Sequence, residues 1–410
     1  MNTQDVPTYL DRRNRNQTAN DTTNERKALD VEKAGDEDCQ ESRLSLRERL
    51  KHFTWAWFTC TMGGGGTAIL LAEQPHKFHG LYTIGVIAFI FNIVVFLTFC
   101  TAMALRAAID PKRFLKTFTH PSEAFFFGSF WLSIASILGG IQLYGITYGP
   151  AGTWLVDAIR VLYWIYAAFS ICNAVQQYFL FMWITPRRPL PFNPSWFLPN
   201  YSSMLTGTIA ALIADSQPPV HRMPILISGL ALQGLGWMVC LVLLTVYFYR
   251  MMEDGLPPPS LRPGMFIPVG SGSYTIVALI VQAQAIPRDY GYFAKHLSAV
   301  DTLQTMALFT GIFLWVFMFW LFAIATLSCL SGIRNMSFTL TWWGMIFPNV
   351  GFVIATIEIG KQLNSEGIMW LGSVMTILLV ALWLFTWVNA IRAVWRKKIM
   401  SPGKDEDKGL

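Results

Sequence analysis

The sequence predicts an all-α membrane protein built from a repeated helical hairpin, on three observations. The chain has 410 residues, 53% hydrophobic and 14% charged, where a soluble globular chain carries about 25% charged residues. Ten apolar stretches follow one another between residues 54 and 395, each close to or above the roughly 20 residues that a spanning helix needs. Glycine and proline gather in every second stretch.

Residues 1–42 are rich in Asn, Thr, Asp and Arg without apolar periodicity, which predicts a disordered tail and no secretory signal. Residues 43–53 place Leu44, Leu46 and Leu50 among basic side chains, as in a short helix lying at a membrane surface or leading into the first span. The spans are predicted at 54–73, 81–105, 122–145, 153–183, 195–215, 223–250, 264–286, 300–331, 337–360 and 367–395, with a polar tail from 396 to 410. Short connections make neighbours antiparallel. Odd spans carry the interruptions: Gly63 to Gly66, Gly139-Gly140, Pro199 with Gly207, Pro263 with Pro268, Gly270 and Gly272, and Pro348 with Gly351. Even spans are longer and hold one early proline, Pro224. Broken helix survives at membrane depth where it is buried in protein or lines a wet cavity. The odd helices are therefore expected to form an inner ring around a pore, with the even helices facing lipid.

Lys and Arg set the orientation. Arg43, Arg47, Arg49, Lys51, Arg106, Lys112, Arg113, Lys116, Arg187, Arg188, Arg250, Arg262, Arg334, Arg392, Arg396, Lys397 and Lys398 fall on one side, against Lys77, Arg222, Arg288, Lys295 and Lys361 on the other. The excess belongs in the cytoplasm, which predicts cytoplasmic termini. The net charge of +6 reflects this topology and implies no nucleic-acid partner. The six cysteines form no CxxC or Cys/His cluster, and the six histidines are scattered, so no disulfide framework, metal site or cofactor is expected. No nucleophile–base constellation or phosphate loop stands out, and Gly270–Ser273 ("GSGS") lies inside an apolar span. A transporter or channel is expected, not an enzyme.

The sign of the cargo follows from the polar groups of the odd spans: Thr59, Thr61, Ser129, Ser133, Ser136, Thr206, Thr208, Ser271, Ser273, Thr275, Asn349 and Thr356. Acidic residues are nearly absent there. Hydroxyl and amide donors, with helix N-termini, suit an anion; the same hydroxyls can instead bond their own helix. Among charges, Arg262 stands at the cytoplasmic mouth of span 7. Lys361 ends span 9 one turn after Glu358, as an anion-attracting cation and a proton-exchanging acid or as a local ion pair. Asp157 and Arg160, three apart in span 4, read as a structural ion pair. Arg106 and Lys77 are an anchor and a loop charge, or vestibule charges.

Several stretches resemble one family: "RLKHFTWAWF" (49–58), "DAIRVLYWIY" (157–166), "RPGMF" (262–266), "FPNVGFVIATIEIGK" (347–361) and "SPGKDEDK" (401–408). They look like the fungal malic acid, or C4-dicarboxylate, transporters of the tellurite-resistance/dicarboxylate transporter family, relatives of plant slow anion channels and fungal sulfite exporters. The resemblance covers residues 43–408. It implies ten helices as five hairpins in quasi-fivefold arrangement around a central pore, a homotrimer in the plasma membrane, and a phenylalanine plug on the ninth helix. Phe347 matches that plug. It further implies malate and similar acids as cargo. A dianion in a low-dielectric path is costly unless compensated, so movement as the monoanion or with a proton, or compensation by a cation such as Arg262, is expected. A sulfite exporter and a passive anion channel are the alternatives.

Overall fold

The computed structural model describes residues 45–120, 122–184, 193–396 and 399. The expected tail at 1–42, Arg43, Leu44, Arg187, Arg188, Lys397, Lys398 and residues 400–410 lie outside the described residues. Among the described residues every regular element is helical.

The chain runs through α1 (Phe58–Ala72), α2 (Leu81–Ile109), α3 (Phe127–Gly140), α4 (Thr153–Ile184), α5 (Leu198–Ala214), α6 (Pro219–Asp254), α7 (Val269–Gln284), α8 (Leu297–Gly332), α9 (Phe347–Gln362) and α10 (Glu366–Trp395). Ahead of them stands the five-residue helix Leu46–Leu50, where 43–53 was expected to form an interfacial helix. It opens on a reciprocal cap: Glu48 N–H donates to Ser45 Oγ at 3.3 Å, and Ser45 N–H donates to Glu48 Oε2 at 3.1 Å.

Among the described residues eight helices are long and apolar enough to cross a bilayer. Their burial divides them. The apolar windows of Pro259–Gln284 and Leu340–Gln362 are 89% buried and that of Ala124–Thr147 is 67% buried, against 22–33% in the five others. The shorter α1 and α5 are buried almost end to end. Odd-numbered helices are thus the interior, and the even-numbered ones expose Ile87, Trp183, Phe313 and Trp395. Contacts run α1 to α3, α3 to α5, α5 to α7, α7 to α9 and α9 back to α1.

The interruptions differ from the sequence expectation. Pro348 does not kink a continuous helix. A 3-10 segment, Leu340–Met345, ends at Ile346, and α9 begins at Phe347 with Pro348 in its first turn. There the missing N–H would have been unpaired in any case, and the ring's fixed φ suits the first turn. Pro199 opens α5 in the same way. Each odd helix has a 3-10 lead: Trp55–Trp57, Ala124–Phe126, Pro194–Phe197, Pro259–Phe266 and Leu340–Met345. Gly63 to Gly66, expected as a break, lie inside the continuous α1 and serve close approach. Span 3 ends as a π-helix, Ile141–Thr147, after Gly140.

One buried ion pair joins the start of this body. Arg106, near the end of α2, places Nη1 at 2.5 Å and Nη2 at 3.2 Å from the two carboxylate oxygens of Glu123, and Nη1 also donates to the Phe53 carbonyl at 2.6 Å. Both side chains are sealed, at 1% and 0% exposure. Trp55 sits nearby among Phe58, Phe114, Phe118, Phe127 and Phe130, with its indole N–H on Thr117 Oγ1 at 3.1 Å.

Candidate functional site: a cavity between the inner helices

A cavity of about 180 Å³ lies inside the bundle, and its wall comes from α1, α3, α5, α7 and α9 and the residue that closes α1. The contributing positions follow helical stripes. On α9 they are Phe347, Val350, Ile354, Glu358 and Lys361; α1 brings Gly66 and Ile69, with Glu73 just past its end; on α7 they are Tyr274, Val277 and Val281. Steps of three and four keep a side chain on one face of a helix.

One end of the α9 stripe is aromatic. The ring of Phe347 stacks on Tyr274 with centroids 4.9 Å apart and planes 27° apart. The Tyr274 hydroxyl donates to the Phe347 carbonyl at 3.0 Å, which ties the pair to the start of α9. Gly66 makes room for it: a Cβ there would come within 2.9 Å of Phe347 Cδ2. Gly351 does the same for Tyr274, whose ring would lie 2.8 Å from an added Cβ.

The other end of the stripe is charged. Lys361 Nζ donates to Glu358 Oε1 at 2.6 Å and to Glu73 Oε2 at 3.3 Å. The lysine side chain is 35% exposed, Glu73 19% and Glu358 9%. Two acids therefore share one base, and one of them arrives from another helix. Between the ends the wall is mainly aliphatic, with Ile69, Leu205, Ile209, Leu212, Val277, Val281, Val350 and Ile354, and carries the hydroxyl residues Ser136 and Thr208. Ser136 Oγ donates to the Ser133 carbonyl at 2.9 Å; Thr208 Oγ1 has no hydrogen-bond partner.

The structure brings Phe347, Glu358 and Lys361 together on this wall with Ser136 and Thr208, and places the other sequence-derived candidates off it. Ser129, Ser133, Ser271, Ser273 and Thr356 are buried and turn their hydroxyls to carbonyls three or four residues back, on Phe126, Ser129, Pro268, Val269 and Phe352. Asn349 likewise donates to the Met345 carbonyl at 2.7 Å, while its Oδ1 has no hydrogen-bond partner. Such local bonds satisfy a polar group without a ligand. Arg262 is held by the carbonyls of Pro257 and Ser328 and the hydroxyl of Ser331, so it closes the end of α8. Arg106 is in the sealed pair with Glu123, not in a vestibule. Lys77 is an exposed loop residue with Nζ 3.1 Å from the Tyr148 hydroxyl and over its ring. Asp157 and Arg160 form an i, i+3 ion pair at 2.6 Å, and Arg160 also reaches Gln217 across to the segment after α5.

Sequence reasoning missed Glu73 and Tyr274. A weak signal existed for Glu73, which lies seven residues after Gly66 on the same face of the first span. Nothing local announced its partner 288 positions away. Among the described residues no cluster of three or more His, Cys, Asp or Glu side chains could hold a metal ion.

An internal cavity walled by buried helices gives a small molecule room within the membrane-spanning body. The chain belongs to the SLAC1 family, described as voltage-dependent anion channels and known also as the tellurite-resistance/dicarboxylate transporter family; the match spans residues 52–391. It is 34% identical over 367 residues to the malic acid transport protein of Schizosaccharomyces pombe, covering 89% of this chain and 83% of that protein. A putative malic acid transport protein of the same yeast is 31% identical over 368 residues, covering 89% and 85%. The sulfite efflux pump SSU1 of Trichophyton rubrum is 28% identical over 350 residues, covering 83% and 91%.

Proposed function

We propose that the chain carries C4-dicarboxylates, malate foremost with succinate and fumarate as related cargo, across the plasma membrane through this cavity. The observation that carries the reading is that the buried, odd-numbered helices wall a space with Phe347 at one end and a lysine at the other. In this reading all ten helices cross the bilayer as five hairpins, the closed sequence of inner contacts is a quasi-fivefold ring, both termini are cytoplasmic, and the protein works as a homotrimer with one pore per subunit.

The charge arrangement argues for proton involvement. With both carboxylates ionised, Lys361 leaves its end of the cavity with one net negative charge, and a dianion entering there is repelled. Charge in a low-dielectric path needs compensation. Cargo moving as the monoanion, or a proton carried on Glu358, supplies it. Phe347 then acts as the gate on the cytoplasmic side of the path. No covalent chemistry and no cofactor are needed.

Radiolabelled malate uptake in a transport-deficient yeast, across pH and with succinate, fumarate and sulfite as competitors, tests this. Malate uptake that rises on acidification and is suppressed by succinate is the expected result. The similarity to sulfite efflux pumps supports a second reading, sulfite export. Sulfite efflux without malate uptake would establish that reading and overturn the first. Currents that follow the electrochemical gradient with no pH dependence would identify a passive channel.

A further inference from the structure

Glu73 enters the reading above only as a charge, although among the described residues it shares the one lysine that lines the cavity. The two carboxylates on Lys361 are not equivalent. Glu358 is three residues away on the same helix, at 2.6 Å, and is the more buried. Glu73 comes from just past the end of α1, is longer at 3.3 Å, and is the more exposed. A carboxylate on the substrate is chemically the same ligand as Glu73: an oxyanion seeking the ammonium group. Of the two, the longer and wetter contact is the easier to displace.

The contact also joins two helices. The seam between α1 and α9 is tied at one end by Lys361 and Glu73. Seven residues before Glu73, the same seam is formed by Gly66 against Phe347 and Val350, and at Gly63 by Ile346. No other ion pair among the described residues links α1 or the residue that closes it to α9.

We infer that Glu73 is a substrate surrogate. It occupies the position on Lys361 that the cargo carboxylate takes, and its displacement unties α1 from α9 along the seam that confines Phe347. Arrival of the anion at the charged end thereby loosens the aromatic end, and an empty cavity stays closed. This inference rests on the proposed anion transport and adds to it a competing residue within the protein.

The test is Glu73→Gln, a change close to isosteric that keeps a weak acceptor for Lys361. Malate binding by thermal shift on purified protein and malate uptake are measured in parallel with wild type, together with anion current in the absence of malate. Removing the competitor is expected to lower the malate KM and binding constant by about 2- to 5-fold, the scale of a part-exposed ion pair, and to raise the malate-free current. A structural contact or a substrate-binding acid moves the constants the other way. Glu73→Gln with an unchanged or raised KM, at wild-type surface expression and melting temperature, overturns the inference while wild-type uptake leaves the transport reading intact. A wild-type protein that neither binds nor moves malate overturns both. Should Glu73→Gln fail to reach the surface, Glu73→Asp keeps the charge on a shorter stem; weaker competition predicts a KM below wild type, and a KM at or above wild type counts against the inference.

Discussion

Two charged clusters among the described residues are built on opposite plans. At Arg106–Glu123 one base meets one acid in a two-pronged contact, with a backbone carbonyl as third partner and both side chains sealed. At Lys361 one base is shared by two acids, the contacts are single, and every member borders a cavity. The matched pair is balanced in charge and sealed, with Arg106 Nε alone left without a hydrogen-bond partner. The mismatched cluster has a surplus acid and room beside it, which are the conditions for trading a partner or a proton. Burial and stoichiometry, more than the presence of charge, separate the sealed pair from the cluster proposed to act on the cargo.

Mutations should preserve or collapse that distinction. Arg106→Ala leaves the buried Glu123 without its partner, and the expected loss is about 3–5 kcal/mol of stability. The readout is disappearance of the protein from the cell surface and a lowered melting temperature. Comparable expression and melting would place Arg106 in the exchangeable class. Lys361→Ala should leave the fold in place and weaken malate uptake by roughly 10-fold or more, the scale of a hydrogen bond to a charged group. If uptake persisted at the wild-type KM, Lys361 would not be a substrate contact.

Smaller effects sharpen the picture. Phe347→Ala removes the stack on Tyr274, worth about 0.5–1.5 kcal/mol, and should raise anion conductance roughly 2- to 12-fold in patch recordings; a current equal to wild type would exclude Phe347 as the gate. Glu358→Gln keeps the shape and removes the charge, so malate uptake should lose most of its dependence on external pH. A retained pH profile would move proton exchange elsewhere. The smallest change is expected from Asp157→Asn, since that pair has Asp157 65% exposed. Its stability cost should stay below about 1 kcal/mol, measurable as a marginal melting shift.

Much of the fold was legible because it rests on patterns that burial enforces. Apolar runs located the helices, and the alternation of glycine- and proline-rich spans marked which ones would be interior. The nature of the interruptions was not legible. Proline at 348 reads as a kink in a string of letters, yet the backbone converts it into a helix start preceded by a 3-10 turn. The site was legible in part. Phe347, Glu358 and Lys361 stood out by position on one helix. Ser129, Ser271 and Thr208 did not separate, being small hydroxyl residues on equally buried helices. Their difference lies in their surroundings: two donate to carbonyls, and the third borders the cavity without a hydrogen-bond partner. Glu73 was hidden because its meaning lies wholly in a contact between the two ends of the chain.

With Phe347 as the proposed gate, Gly66 sets a duration. The ring of Phe347 lies against bare backbone there, in a slot that a single methyl group would fill. A side chain confined on every side changes rotamer only when its neighbours move together, because cores are close-packed and bistable. A missing methyl lowers the number of neighbours that must move. The lifetime of each closure thus depends on a residue that carries no charge and makes no side-chain hydrogen bond. Gly66→Ala should change the dwell times in single-channel records while leaving the order of preferred anions as it was.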